Sequence, residues 1–306
     1  MEQTENKDLI HFLDLGCSGS LDDKWSPLFS DLAFTGFDPN QEECTRMEAL
    51  PTPYRTTRYL PFALAGEPGQ HTLYMTNSIY CYSLLRPNHP WLGRFTFAGL
   101  FAETGQEAVA AETLDSLKAS QGLDADIMKL DVQGLELPIL RSGLSVLDNC
   151  FCVETETGFM ENYVGETTFA QIDEFMRAQG FLMFDLHLNH MSRQNDCAGQ
   201  GLQQPLWCQS VWLLDYVGQG MRPTPAKAQI ALRICKALGF HDFGKELSIY
   251  FFEQGIMPSE NYSCLATSAG VNTPVAPVSR SARFLSHLPD WLNRRLYTGL
   301  SELYGG

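Results

Sequence analysis

Small residues follow the first apolar segment of this chain. Residues 9–15 are apolar except for His11 and Asp14, and Gly16-Cys17-Ser18-Gly19-Ser20 comes directly after them. Glycine and serine let a backbone approach a bound molecule closely, and the N–H groups of a following helix would face that molecule. The spacing Asp14-x-Gly16-x-x-Gly19 therefore predicts a cofactor-binding turn.

A second acidic residue follows the next apolar segment. Residues 33–37 are followed by Asp38-Pro39-Asn40, and Asp38 stands 24 positions after Asp14. This is close to the spacing of roughly 20 residues at which a carboxylate binds a ribose diol in dinucleotide folds. The full Gly-x-Gly-x-x-Gly fingerprint is absent, so adenosine without a pyrophosphate fits better than NAD. The alternative is a turn with a capping aspartate and no ligand.

Three carboxylates mark a candidate reacting centre. Asp131 ends the apolar segment 125–131, and Glu154 and Glu156 lie two residues apart in the segment 150–156. Side chains alternate along a strand, so the two glutamates point the same way, and ligands in α/β sheets sit at the carboxyl ends of strands. Such crowding raises the pKa of one carboxyl or holds a divalent cation. The alternative is a solvated strand end.

The elements that would position these residues alternate between strands and helices. Apolar runs predict parallel strands at 9–15, 33–37, 59–65, 125–131 and 150–156, with helices between most of them and a β-rich excursion over 66–110. Residues 192–204 are too polar for a helix, so the strands at 181–186 and 211–216 are expected to form an antiparallel pair. The predicted fold class is α/β.

Three segments resemble one known family. Residues 12–19, Phe37-Asp38-Pro39 and the run from Ile127 to Glu136 are similar to the FkbM family of S-adenosylmethionine-dependent methyltransferases. The run matches the family's K-x-D-x-[EQ]-G-x-E signature, and Thr113-Leu114-Asp115 and Ser83-Leu84-Leu85 match two further elements. The resemblance covers about residues 9–216. Asp38 stands where members commonly have glutamate, which shortens the carboxylate by one methylene.

The resemblance implies a fold, a cofactor and a reaction. The fold would be the Rossmann-like three-layer sandwich of class I methyltransferases, with a seven-stranded, mostly parallel sheet whose last strand is antiparallel. The cofactor would be S-adenosyl-L-methionine, and the acceptor a hydroxyl of a sugar, a glycan or a polyketide-like natural product. We assign the cofactor contacts to Asp14, Gly16, Ser18, Gly19, Asp38 and Pro39, and the catalytic roles to Asp131, Glu154 and Glu156. No metal ligands are assigned, although a divalent metal at the carboxylates stays open.

After residue 218 the sequence pattern changes from alternating strands and helices to helices alone. We predict a methyltransferase domain over 1–218 and a helical C-terminal extension over 219–306, with a linker near 257–281. The apolar and basic residues of the tail, among them Trp291 and Arg294, favour packing on the catalytic domain or on another subunit. A homo-oligomer formed through these helices is therefore one possible assembly.

Composition excludes several classes of protein. The chain has 306 residues, 44% of them hydrophobic, and 36 acidic residues against 21 basic ones give a net charge of −15. Such a charge disfavours nucleic-acid binding. Neither a membrane span nor a signal peptide is predicted, and nine cysteines without a Cys-x-x-Cys pair indicate reduced thiols in a cytoplasmic protein. The alternatives are a catalytically degenerate methyltransferase fold that serves as a binding scaffold, and an NAD-type oxidoreductase.

Overall fold

A seven-stranded sheet forms the centre of the protein in this computed structural model, which describes residues 9–17, 21–195 and 202–258. Within these residues the sheet has the strand order β3-β2-β1-β7-β8-β10-β9. Its strands are β1 (Ile10–Leu15), β2 (Leu32–Phe37), β3 (Thr56–Leu60), β7 (Ile127–Leu130), β8 (Cys152–Gly158), β9 (Phe181–Met191) and β10 (Gln204–Leu214).

The pairing confirms the predicted topology. β1 pairs in parallel with β2 and β7, β2 with β3, and β7 with β8. β10 is antiparallel to both β8 and β9, so the last strand alone runs against the others. The carboxyl ends of β1, β2, β7 and β8 therefore meet at one edge of the sheet, which we call the carboxyl edge.

Burial explains why the central strands are nearly continuous apolar runs. β1, β7 and β8 are covered on both faces, and most of their side chains are buried. β9 lies at the border of the sheet, where Leu182, Met183 and Leu188 remain exposed. The charged residues within the central strands are thus exceptions that need polar partners.

Helices cover the sheet between the strands. They are α1 (Gln41–Glu48), α2 (His89–Leu92), α3 (Leu114–Gln121), α4 (Glu136–Arg141), α5 (Leu144–Leu147), α6 (Phe169–Ala178), α7 (Pro225–Leu238) and α8 (His241–Glu253). Thr168 and Gln171 form the capping box at the start of α6 that their spacing predicts. The segment Asp23–Asp31 is a 3-10 helix that contains Pro27, which has no N–H for an α-helical bond.

The excursion between β3 and β7 forms a second, small sheet. Its strands β4 (Ala63–Leu64), β5 (Gly69–Thr76) and β6 (Glu103–Glu112) have the order β4-β6-β5. Between β5 and β6, aromatic and aliphatic side chains gather around Tyr163; they are Cys81, Leu85, Trp91, Leu92, Phe97 and Phe101. This aromatic cluster joins the excursion to the loop that follows β8.

The helices after β10 belong to the main core of the described part. Ala231 and Ile234 of α7 and Leu247 of α8 are fully buried in the same cluster as the sheet. Residues 259–306, with most of the predicted linker and the whole tail, lie outside the described residues. The division into a domain at 1–218 and an extension at 219–306 stays a prediction.

Two further features concern membrane-spanning helices and the state of the cysteines. In the described part of the chain, no helix combines the length and the apolarity that crossing a bilayer requires. The seven cysteines within that part are all free and buried. Cys197 and Cys264 lie outside it.

Candidate functional site

The turn after β1 is hydrogen-bonded to both neighbouring strands at the carboxyl edge. The Cys17 N–H donates to the Phe37 carbonyl oxygen at 3.1 Å, and the Asp131 N–H donates to the Leu15 carbonyl oxygen at 3.0 Å. The ends of β1, β2 and β7 are thus held together by their backbones. Ser18 and Gly19, two of the predicted cofactor contacts, lie outside the described residues.

Gly16 is required by the close approach of this turn to Asp131. Its φ of +85° lies in the left-handed region, and a Cβ at this position would be 2.1 Å from the Asp131 carbonyl oxygen. The predicted cofactor turn and the predicted reacting-end aspartate therefore touch through their backbones. A side chain at position 16 would close the space between them.

Asp38 presents a carboxylate at the end of β2. Its Oδ1 accepts a 2.7 Å hydrogen bond from the Asn40 N–H, while no described residue donates to Oδ2. Partial burial raises the pKa of this carboxyl, although the Asn40 N–H opposes the shift. Pro39 is exposed next to it. The half-buried carboxylate, with one free oxygen, could accept the hydroxyl groups of a ribose.

A charged row crosses the sheet below these turns. Asp14 on β1, Lys129 on β7 and Glu154 on β8 are direct neighbours in register. The Lys129 Nζ lies 2.9 Å from the Asp14 Oδ1. Burial alone lowers the pKa of Lys129, but the carboxylates of Asp14, Asp131 and Glu154 outweigh it and raise that pKa. Lys129 therefore carries a permanent positive charge inside the fold.

Both oxygens of Glu154 are occupied by residues of the 3-10 helix. Its Oε1 lies 2.6 Å from the Lys24 Nζ, and its Oε2 accepts a 3.0 Å hydrogen bond from the Trp25 Nε1. The side chain is almost fully buried. Glu154 thus attaches the 3-10 helix to the sheet, whereas Glu156 lies nearer to the carboxyl edge.

Asp131 and Glu156 form the acidic end of the site. The Gln133 Nε2 donates to the Asp131 Oδ1 at 2.6 Å, and the Gln209 Nε2 donates to the Glu156 Oε2 at 2.9 Å. Burial, followed by the nearby charge of Asp131, raises the pKa of Glu156 well above its usual value. A carboxyl with a raised pKa next to a second carboxyl is an arrangement found in acid–base sites.

Gln133 orients Asp131 from a strained backbone. Its φ is +56°, the one left-handed value among the described residues other than glycine. The Tyr163 hydroxyl donates to the Gln133 Oε1 at 2.8 Å, and the Ser83 hydroxyl donates to the Gln133 carbonyl oxygen at 2.7 Å. No sequence motif marks Tyr163 or gives Gln133 a role, because their hydrogen bonds join segments far apart in the chain.

Two buried carboxyls brace the loops around this site. Glu136 accepts the N–H groups of Val132 and Gly134 at 3.2 and 3.1 Å, and burial raises its pKa to about 8. Glu166 accepts the N–H groups of Gly158, Asn162 and Tyr163, and burial raises its pKa to about 7. Each carboxyl satisfies backbone donors that would otherwise be buried without partners.

The carboxylates do not form a metal cage. Among the residues that the structure describes, no group of three or more histidine, cysteine, aspartate or glutamate side chains converges on a common point. Lys129 lies within the cluster and supplies the positive charge there. The described residues therefore give no support for a divalent cation at this site.

The family is decided by a comparison of sequences. The model of the methyltransferase FkbM domain matches residues 29–183, about half of the chain. This chain belongs to the FkbM methyltransferase family. The match contains Asp38, Asp131, Glu154 and Glu156, and it begins after the turn at 14–19. The FkbM resemblance inferred from the sequence motifs is thus confirmed, and the protein is a methyltransferase.

Other comparisons give weaker likenesses. No curated protein matches the chain. A solved structure, a SAM-dependent methyltransferase from Anabaena variabilis ATCC 29413, is 12% identical with a TM-score of 0.33. The likeness covers 70% of this chain and 80% of that one.

Replacing Gly16 tests the contact between the turn and Asp131. Gly122→Ala is the matched control, since Gly122 also has a positive φ but a Cβ there would have no atom within 4 Å. We expect Gly122→Ala to lower the free energy of unfolding by about 1–2 kcal/mol, the cost of a left-handed residue. Gly16→Ala should lose about 1–3 kcal/mol more, because a backbone carbonyl must move. Equal losses in urea denaturation would contradict the contact.

The pH dependence of stability tests the burial of Glu136. Its raised pKa means that the folded protein keeps a proton that the unfolded chain releases near pH 4.5. This contribution is complete below that pH and is lost as the pH rises through about 8. Between these values the wild type should therefore lose about 1–3 kcal/mol of unfolding free energy relative to Glu136→Gln.

Urea denaturation at several pH values measures this difference. Glu107→Gln removes an exposed carboxylate of β6 and serves as the control. Its pH dependence should follow that of the wild type. If Glu136→Gln also follows the wild type, Glu136 is not the buried acid described.

Proposed function

We propose that this FkbM methyltransferase transfers a methyl group from S-adenosyl-L-methionine to a hydroxyl of a sugar, a glycan or a polyketide-like natural product. The observation that supports this most is the backbone contact of the Gly16 turn with Asp131, which brings the cofactor side and the acidic side of the carboxyl edge together. The cofactor would supply an electrophilic methyl group on a positively charged sulfur. The chain's own residues would bind, align and move the proton.

The cofactor side of the site would consist of the turn and of Asp38. The ribose hydroxyls would donate to the free Oδ2 of Asp38, with Pro39 beside it. Gly16, Ser18 and Gly19 would leave room for the methionine end. Asp14 is almost fully buried, so its part is to support the turn through its ion pair with Lys129.

The acceptor side would consist of Asp131 and Glu156. Gln133 occupies one oxygen of Asp131, and no described residue donates to the other, Oδ2. That oxygen would take the proton of the acceptor hydroxyl while the new carbon–oxygen bond forms. Glu156, whose pKa is raised by burial, would orient the acceptor through a hydrogen bond. Both oxygens of Glu154 are occupied by Lys24 and Trp25. Glu154 would therefore support the site without contacting the acceptor.

Isothermal titration with S-adenosylhomocysteine tests the cofactor assignment, with NAD as the control ligand. Asp38→Ala should weaken binding by about 1–3 kcal/mol, the scale for losing a charged hydrogen-bond partner. Asp148→Ala is the matched control, because Asp148 is exposed and precedes β8 at the opposite edge of the sheet. It should change the affinity less than about twofold, or roughly 0.4 kcal/mol. Absent binding, or tighter binding of NAD, would refute the assignment.

A methyl-transfer assay over sugars and polyketide-like alcohols tests the acidic side. Asp131→Asn should retain S-adenosylhomocysteine binding and lower kcat by about 10²–10⁴-fold, the usual contribution of a general base. An unchanged kcat would remove Asp131 from this role. Intact cofactor binding without turnover on any acceptor would favour the scaffold function instead.

A further inference from the structure

Two arginines converge on one indole in the excursion. The guanidinium carbons of Arg94 and Arg193 lie 5.1 and 5.5 Å from the Trp91 ring centroid, and that of Arg193 lies 4.4 Å from the Phe95 ring. Cation–π contacts of this kind hold a guanidinium group in place and leave its N–H edge available. Two positive charges are thus brought together in a chain whose net charge is −15.

Neither of these arginines has an acidic partner in the described part of the chain. Four other arginines there are paired with carboxylates: Arg46, Arg86, Arg177 and Arg233. The Nη2 of Arg193 donates to Gln204, but its Nη1 is buried and makes no hydrogen bond. A buried donor without a partner is costly, so this group is poised to bind an acceptor atom of a ligand.

The pocket around the two guanidinium groups is fixed by hydrogen bonds. The Gln194 N–H donates to the Arg94 carbonyl oxygen at 3.0 Å, and the Gln194 Nε2 donates to the Phe95 carbonyl oxygen at 3.1 Å. Arg94 and Arg193 line a cavity of about 510 Å³ together with Gly93, Gln194 and Asn195. Its volume suits a small organic anion.

The pocket and the candidate site both lie at the carboxyl edge of the sheet. Arg193 follows the end of β9, and β9 meets β10 beside Gly158, beyond the carboxyl end of β7. A chain of ring contacts runs from Phe95 through Phe97 and Phe101 to Tyr163, with centroid separations of 5.8, 5.3 and 5.8 Å. Tyr163 in turn donates to Gln133, which holds Asp131.

We propose that this pocket binds an anionic group of the acceptor, a carboxylate or sulfate, through Arg94 and Arg193. The planar guanidinium fork matches the oxygens of these groups, and the bound anion would neutralise the two adjacent charges. That the anion belongs to the acceptor rests on the proposed function. Binding of an anion to the pocket does not depend on the proposed function, so anion binding and methyl transfer can be tested separately.

Titrations followed by NMR on the Trp91 indole signal test the pocket, with inorganic sulfate, D-glucuronate and D-glucose as probes. Sulfate and glucuronate should give saturable shifts, while neutral glucose gives none. Arg94→Gln, which alters an exposed side chain, and the double variant with Arg193→Gln should each weaken binding at least tenfold. Arg55→Gln removes an exposed charge before β3 at the opposite edge and should change binding less than twofold.

Three results would overturn the proposal: no saturable shift, equal shifts with glucose, or unchanged binding in the double variant. Binding of sulfate without glucuronate would show a site for inorganic anions and would overturn the assignment to the acceptor. A normal S-adenosylhomocysteine titration beside a failed anion titration rejects the pocket alone. The reverse result rejects the cofactor assignment and leaves the anion site standing.

Discussion

A partly buried ammonium group, that of Lys129, lies among three carboxylates on one face of the central sheet. Lys129 contacts Asp14 directly, stands next to Glu154 in register, and is close enough to Asp131 for the charges to interact. Without this positive charge, the buried acids of three neighbouring strands would repel one another and take up protons. The acidic edge of the sheet can be maintained because the ammonium lies within it.

The rest of the site is arranged around that charge. Glu154 connects the row to the 3-10 helix through Lys24 and Trp25, so the helix that covers this face is fixed by the same ions. Two residues further toward the carboxyl edge, the backbones of Gly16 and Asp131 touch. From Asp131, hydrogen bonds continue through Gln133 to Tyr163 and the aromatic cluster of the excursion. The Gly16 turn and the aromatic cluster are therefore connected through Asp131, Gln133 and Tyr163.

The sequence predicted the parts of the fold that depend on local patterns. Continuous apolar runs identified the central strands, polar residues between β9 and β10 indicated an antiparallel pair, and the spacing of Thr168 and Gln171 indicated a helix start. The motif residues Asp14, Gly16, Asp38 and Asp131 do meet at one edge of the sheet, because carboxyl ends of parallel strands meet there. The roles of these residues as contacts of cofactor and substrate remain predictions.

Long-range contacts were not predictable in this way. Glu154 binds residues 130 and 129 positions away, and Tyr163 meets Gln133 across 30 positions, so no local spacing encodes either contact. From the sequence alone, Glu154 and Glu156 are equivalent, because alternation along a strand makes them point the same way. Their partners separate them, since only Glu154 faces the 3-10 helix.

A crystal structure of the protein with S-adenosylhomocysteine would show directly where the cofactor binds. We expect electron density for the ligand at the carboxyl edge, with the ribose hydroxyls within hydrogen-bond distance of Asp38 and the sulfur between the Gly16 turn and Asp131. Density at another edge or face of the sheet, or a ribose that makes no contact with Asp38, would contradict this placement.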